Sequence, residues 1–204
     1  MLTINYLGHS CFKISNDKVS FVIDPYQNNS APRLSLKDVS SNYVFISHEH
    51  QDHNARNLVK LVPSDYKIDF QTVVVPHDHH KGTKRGMNKI HIFNIDGYKI
   101  VHLGDIGCIP NEDVISLISN ADILLGPING FYTISAEEFK NIINIVKPRI
   151  AIPMHYNNLS TFTGYPDGGQ INIFKKLFPH YFEVNNNQLI LDDKIFTHNI
   201  VIFK

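Results

Sequence analysis

The chain has 204 residues, 43% of them hydrophobic, which allows a single domain over residues 1–204 with a sizeable core. Its 19 basic and 19 acidic residues cancel to a formal net charge of zero, so it offers no electrostatic footprint for nucleic acid or an anionic membrane surface. The start, Met1 to Tyr6, lacks a basic stretch followed by a long apolar run, and no segment approaches the length of a membrane span. Cys11 and Cys108 have no C-x-x-C spacing, and a soluble cytoplasmic protein with free thiols is expected.

From the N-terminus, Thr3 to Leu7, Ser10 to Ser15 and Val19 to Ile23 read as three short strands, the last two joined by a turn at Asn16-Asp17. Asp24-Pro25 ends the third, and residues 26 to 42 read as a loop over the surface. Asp24 is placed either to accept the second ring N–H of a metal-binding histidine or to sit in a solvated turn. His9, beside Gly8, is open between a place near a site and a packing role. Val44-Phe45-Ile46-Ser47 is a fourth strand, and it breaks into His48-Glu49-His50-Gln51-Asp52-His53. With 12 histidines in the chain, a six-residue window holds about a third of one by chance, and this one holds three plus an aspartate. Imidazole with carboxylate suits zinc, iron or manganese, and the scarcity of thiols argues against a closed cysteine-built zinc site. His48 and His50 share a side if extension continues, while Asp52 and His53 point elsewhere, so one window can serve two ions. Asn54 to Leu61 reads as a helix.

Gln71 to Val75 is a β-branched strand ending at Pro76, and it delivers His77, with His79 and His80 as competitors for the same role. Arg85 can hold an anionic substrate group bidentately or support the loop from its surface. Lys89 to Ile95 and Lys99 to Leu103 flank the Asp96-Gly97 hairpin turn. The second of these ends at Gly104-Asp105, where glycine lets the backbone turn sharply; His102 packs in the core or behind the site. A helix over 112 to 119, a strand from Ala121 to Leu125 and a helix opened by the capping box Ser135 to Glu138 follow, the last ending near Val146. Arg149 to Ile152 is a strand that leads into Pro153-Met154-His155-Tyr156, with Tyr156 and Asn157 as candidates for substrate or oxyanion contact. A last helix (170 to 178) and strands at Tyr181 to Val184, Gln188 to Leu191 and Ile200 to Phe203 close the chain. Thr161 to Gly169 reads as a flexible rim.

The pattern His48-x-His50-x-Asp52-His53 resembles the signature of the metallo-β-lactamase superfamily, and further stretches match in order. These are Gly8-His9-Ser10, Ile23-Asp24-Pro25, Pro76-His77-Asp78, Arg85-Gly86-Met87-Asn88, His102-Leu103-Gly104-Asp105 and Ile152-Pro153-Met154-His155-Tyr156. The set looks most like the small stand-alone hydrolases of the lactonase and phospholipase D-like branch. The resemblance implies an α/β fold, a four-layered αβ/βα sandwich, with a dinuclear site at one edge. It implies His48, His50, His77 and Asp105 on one ion, and Asp52, His53, His155 and a bridging Asp105 on the other. Two divalent ions are expected, zinc first, with manganese or iron as alternatives. Such a pair activates water and polarises an ester, lactone or phosphodiester of a small molecule, with Asp52 and Asp105 as the catalytic carboxylates. A non-catalytic metal sensor and a di-iron oxidoreductase are the competing readings; the second usually carries Glu where His50 stands.

Overall fold

A computed structural model of the chain describes residues 1–31, 34–156, 170–192 and 194–204. Alternating apolar residues build the first strands: β1 (Leu2–Gly8) buries Leu2, Ile4 and Tyr6 on one face, and β2 (Cys11–Ser15) and β3 (Ser20–Ile23) follow as a meander. β4 (Val39–Ser41) and β6 (Val59–Leu61) form a small parallel pair of their own, while β5 (Tyr43–Phe45) joins β3 in parallel. The first sheet thus runs β13 (Gln188–Leu191), β1, β2, β3, β5. The second runs β11 (Ile150–Met154), β10 (Ile123–Pro127), β9 (Tyr98–His102), β8 (Met87–Ile95), β7 (Asp69–Pro76). β12 (Phe182–Val184) and β14 (Val201–Phe203) pair separately, in parallel.

The sheets face each other across a core that includes Ile4, Phe12, Phe21, Phe93, Ile123, Ile152 and Phe203, all 0 to 2% exposed. The other face of the second sheet is covered by α1 (Glu112–Ile118), α2 (Ala136–Val146) and α3 (Ile171–Leu177), through Ile118, Phe139, Ile142, Val146 and Phe174. α2 begins with the expected capping box, Ser135 Oγ accepting from Glu138 N and Glu138 Oε2 accepting from Ser135 N. Among the described residues no helix is long and apolar enough to cross a membrane.

Two local expectations are corrected. Residues 54 to 61 do not form a helix: a single 3-10 turn, Arg56–Leu58, gives way to β6, because Val59 to Leu61 find partners in Val39 to Ser41. The described residues of the segment from 26 to 42 are not simply a loop over the surface. Tyr26, Ala31, Leu34 and Leu36 are buried with Cys11, Val22 and Val59 in a third apolar cluster that covers the outer face of the first sheet.

Strand direction brings the ligand-type residues together. β1, β3 and β5 run the same way in the first sheet, as do β7, β9, β10 and β11 in the second. Their C-terminal ends therefore gather at one edge of the sandwich. Gly8-His9, Asp24, Ser47-His48, His77, Asp105 and His155 all lie just beyond those ends, and His155 N donates to His9 O across the edge at 3.0 Å.

Candidate metal centre

The strand ends leave the β region abruptly at this edge. His9, Asp24 and His155 have φ of 57, 48 and 60°, left-handed values that cost non-glycine residues free energy and cluster at functional sites. Gly104, φ 58°, meets the same demand with no side chain, and a Cβ there would overlap Asn88 and come within 2.6 Å of Ser47 Cβ.

The seven residues expected to bind metal converge. His53 Nε2 and His155 Nε2 each stand 3.1 Å from Asp105 Oδ2, and His77 Nε2 stands 3.8 Å from it. His53 Nε2 lies 3.7 Å from Asp52 Oδ2. The His48 ring centroid is 4.5 Å from that of His50, 4.6 Å from His77 and 4.3 Å from His53. Donor atoms fall into sets close enough to share an ion: His48, His50 and His77; His48, His53 and Asp105; and His9, Asp52, His53 and His155. His77 is 1% exposed beside the cluster, whereas His79 and His80 face solvent and His79 reaches only toward Glu138 at 3.9 Å. Geometry thus favours His77 over its competitors.

Hydrogen bonds behind the cluster decide which ring nitrogens face inward. Asp24, fully buried, accepts from Ser47 N at 2.6 Å, Ser47 Oγ at 2.7 Å and His53 Nδ1 at 2.9 Å. Burial would raise its carboxyl, but His53 outweighs that and holds it far below the carboxylate range, so Asp24 only accepts. The one Ser47 hydroxyl proton goes to Asp24, which obliges His48 Nδ1, 2.9 Å from Ser47 Oγ, to be the donor in that pair. Both imidazoles are left with Nε2 turned into the cluster; His48 Nε2 and Asp105 Oδ1 are buried with no hydrogen-bond partner, and His53 Nε2 faces only Asp105 Oδ2 at 3.1 Å. Buried donors and acceptors without partners are rare and costly, and imidazole nitrogens gathered around a carboxylate, one of them bare, fit a cation. The residues present therefore fit a metal.

Other contacts hold Asp105 in place. Asn88 Oδ1 accepts from Asp105 N at 2.8 Å while its Nδ2 donates to Leu103 O at 2.8 Å. His102 accepts from Gly104 N through Nδ1 and donates from Nε2 to Ser10 O, tying the end of β9 to the first sheet. Gly107 packs against the backbone of His77 and Asp78, where a Cβ would not fit, and its N–H donates to Pro76 O. Burial alone would raise the Asp105 carboxyl, but His155 and His53 outweigh it and keep it well below its ordinary value. Burial likewise would depress His53, yet Asp105, Asp24 and Asp52 raise it well above the usual histidine range. His53 would have to give up that proton to serve as a ligand.

Asn88 and Ser47 are legible as letters but not as roles, since their partners lie 17 and 23 residues away. His9 comes closer than a packing residue would: its Nε2 is 3.2 Å from Asp52 Oδ2, and its ring centroid is 4.0 Å from that of His155. Tyr156, by contrast, is no substrate contact; it is 1% exposed and its hydroxyl donates to Phe203 O at 2.6 Å, away from the cleft. Asn157 and the rim at 161 to 169 lie outside the described residues. Cys11 is buried and Cys108 half-buried, both as free thiols.

The titration of this cluster predicts how the protein responds to acid when chelated. Burial, with His155, depresses His9 from 6.5 to about 4, and burial, with His53, depresses His48 to about 3. Both bind protons more readily in the unfolded chain, so the stability they contribute is complete above pH 6.5 and is lost as pH falls toward 3. His53 has the opposite sign, its contribution being whole below 6.5 and lost progressively as pH rises from there through its raised value. Melting curves in excess chelator are expected to show a midpoint that climbs from about pH 3 to 6.5; a flat or falling profile would contradict the assignment.

The cleft over the cluster is about 740 Å³ and is lined by His50, Asp52, His77, Asp105 and His155, with Ser30, Gln51, Arg85 and Tyr132 at its walls. Two facing sheets, helices packed on the outside and a buried His/Asp cluster at the strand ends define a metal-dependent hydrolase of the metallo-β-lactamase fold. The chain belongs to that superfamily: residues 3–155 match the family model described as a beta-lactamase superfamily domain. It is 28% identical over 186 residues to a UPF0173 metal-dependent hydrolase of Natranaerobius thermophilus, covering 76% of this chain and 84% of that one. A UPF0173 protein of Pyrococcus abyssi is 30% identical, covering 86% and 90%. Among solved structures, a proposed Zn-dependent hydrolase of the superfamily from Thermotoga maritima superposes with a TM-score of 0.75 at 26% identity, covering 100% of this chain and 98% of that one.

Proposed function

We propose that the chain hydrolyses an ester, lactone or phosphodiester bond of a small molecule in the cytoplasm, using two divalent ions, zinc first among the candidates. His48, His50, His77 and Asp105 would hold one ion, and Asp52, His53, His155 and Asp105 the other. The reading is supported by the paired hydrogen bonds: Asp24 and the Ser47 hydroxyl occupy Nδ1 of His53 and His48, so that both Nε2 atoms turn toward Asp105, that of His48 with no partner and that of His53 with Asp105 alone. When bound, a pair of divalent ions supplies a water of lowered pKa and polarises the electrophilic oxygen.

The chain's own groups then have definite tasks. Asp105, with two oxygens and its amide anchored by Asn88, would serve both ligand sets. Asp52, held by His9 and left part-exposed at the cleft, orients the nucleophilic water through its carboxylate. His50, exposed on the cleft wall, closes the first set from the solvent side. The strained backbone at His9, Asp24 and His155 preorganises these donors.

Elemental analysis of protein purified without chelator is expected to give close to two divalent ions per chain. The loaded protein should turn over at least one member of a panel of model esters, lactones and phosphodiesters. Fewer than two ions at saturation would remove the dinuclear reading, and full loading without turnover on any of the three bond classes would remove the hydrolytic one.

A further inference from the structure

At the rim of the cleft, the loop from His77 to Gly86 is wound around one carboxylate. Asp78 accepts from the backbone N–H of His80, Gly82, Lys84 and Arg85 at 2.7 to 3.0 Å, and the loop closes on itself through His77 N to Gly86 O. Gly82 and Gly86, φ +80 and +85°, make the turns that this path requires. Arg85 is therefore presented from a rigid loop whose first residue is a candidate metal ligand. Its guanidinium carbon lies 4.0 Å above the Tyr132 ring, and both side chains line the cleft. Tyr132 is itself positioned, its N–H donating to Asn129 Oδ1.

Three carboxylates of this region are engaged elsewhere. Glu49 pairs with Arg56 at 2.9 Å, Asp78 takes four amides, and Glu138 caps α2. Arg85 forms no ion pair among the described residues and is only half-buried. Stacking on an aromatic face keeps a guanidinium oriented while leaving its N–H fork free, the arrangement that suits bidentate capture of a planar or tetrahedral oxyanion.

We propose that Arg85, held over Tyr132, anchors an oxyanion group of the substrate, a carboxylate or a phosphate, at a distance from the bond that is cleaved. The substrate class then narrows to small anionic esters or lactones. This rests on the same cleft being the hydrolytic site, so the test has one arm that needs turnover and one that does not.

In the first arm, kcat/KM is compared for three aryl esters with the same leaving group: a neutral acyl chain, one ending in a carboxylate and one ending in a phosphate. The metal-loaded protein is expected to favour one of the anionic esters by about tenfold or more, the worth of one charge-assisted contact. Arg85→Met is expected to collapse that ratio to near one, with the change in KM. Arg85→Lys, which keeps charge without the fork, should recover only part of it and serves if Arg85→Met does not fold. Which anionic ester is favoured separates carboxylate from phosphate. In the second arm, titration calorimetry of glutarate and of inorganic phosphate into the loaded protein is expected to show about tenfold weaker binding in Arg85→Met for the matching anion. Turnover with an unchanged ester ratio in Arg85→Met overturns the anchor while leaving the hydrolase intact. Absent turnover with the calorimetric difference present supports the anchor while the hydrolase reading fails, and equal binding of both anions by both proteins overturns it.

Discussion

Asp105→Asn is expected to be the most damaging single substitution in the chain, lowering kcat/KM by more than about 100-fold, beyond what losing an outer hydrogen-bond partner usually costs. Asn keeps the size of the side chain and its Oδ1, but replaces the second carboxylate oxygen with an NH₂ that cannot bind a cation. Oδ2 is the atom within 3.1 Å of both His53 and His155 and 3.8 Å of His77, so its loss reaches both ligand sets at once. The amide of residue 105 would still be held by Asn88, so the backbone has no reason to move. Metal content after dialysis should fall well below two ions per chain. An Asp105→Asn protein that retains both ions and its turnover would show that the carboxylate is not the bridge.

Asp24→Asn ranks next, although Asp24 reaches no cation itself. Its two oxygens accept three hydrogen bonds that fix Ser47 and His53 directly and His48 through Ser47. An amide has only one acceptor oxygen, and its NH₂ placed against His53 Nδ1 would force the proton onto Nε2, the nitrogen needed for the ion. Metal affinity is expected to fall by about 10 to 100-fold at both sites, the usual cost of losing such a partner. Asn is the right probe because it tolerates the left-handed backbone found at this position, φ 48°. Ser47→Ala should weaken only the His48 side, so titration with a competing chelator distinguishes the two. Equal affinities in all three proteins would mean that the network does not set the tautomers.

The contrast between these residues explains how much of the site is legible in the sequence. The run from Val44 to His53 declares itself, because an apolar strand breaking into three imidazoles and a carboxylate is improbable in any other role. Gly104-Asp105 and Pro153-Met154-His155 are visible as strand ends carrying ligand-type residues. Residues 54 to 61 mislead, since an apolar spacing compatible with a helix says nothing of the pairing with Val39 to Ser41 that makes a strand of its second half. Tyr156 beside His155 has the letters of a cleft residue, and only the fold turns its hydroxyl to Phe203, 47 residues on.

The amino-acid order alone determined the strand rhythm, the capping box at Ser135, the hairpin at Asp96-Gly97 and the kinds of donor available, because each of these depends on neighbours within a few residues. What the tertiary structure decided is which donors meet and which nitrogen each presents. Parallel strands in two sheets bring their C-terminal ends to one edge, and hydrogen bonds spanning 17 to 92 residues, from Asn88, Asp24 and His102, orient the side chains there. Such long-range contacts leave no periodic trace in a sequence, since their geometry exists only once the sheets have packed.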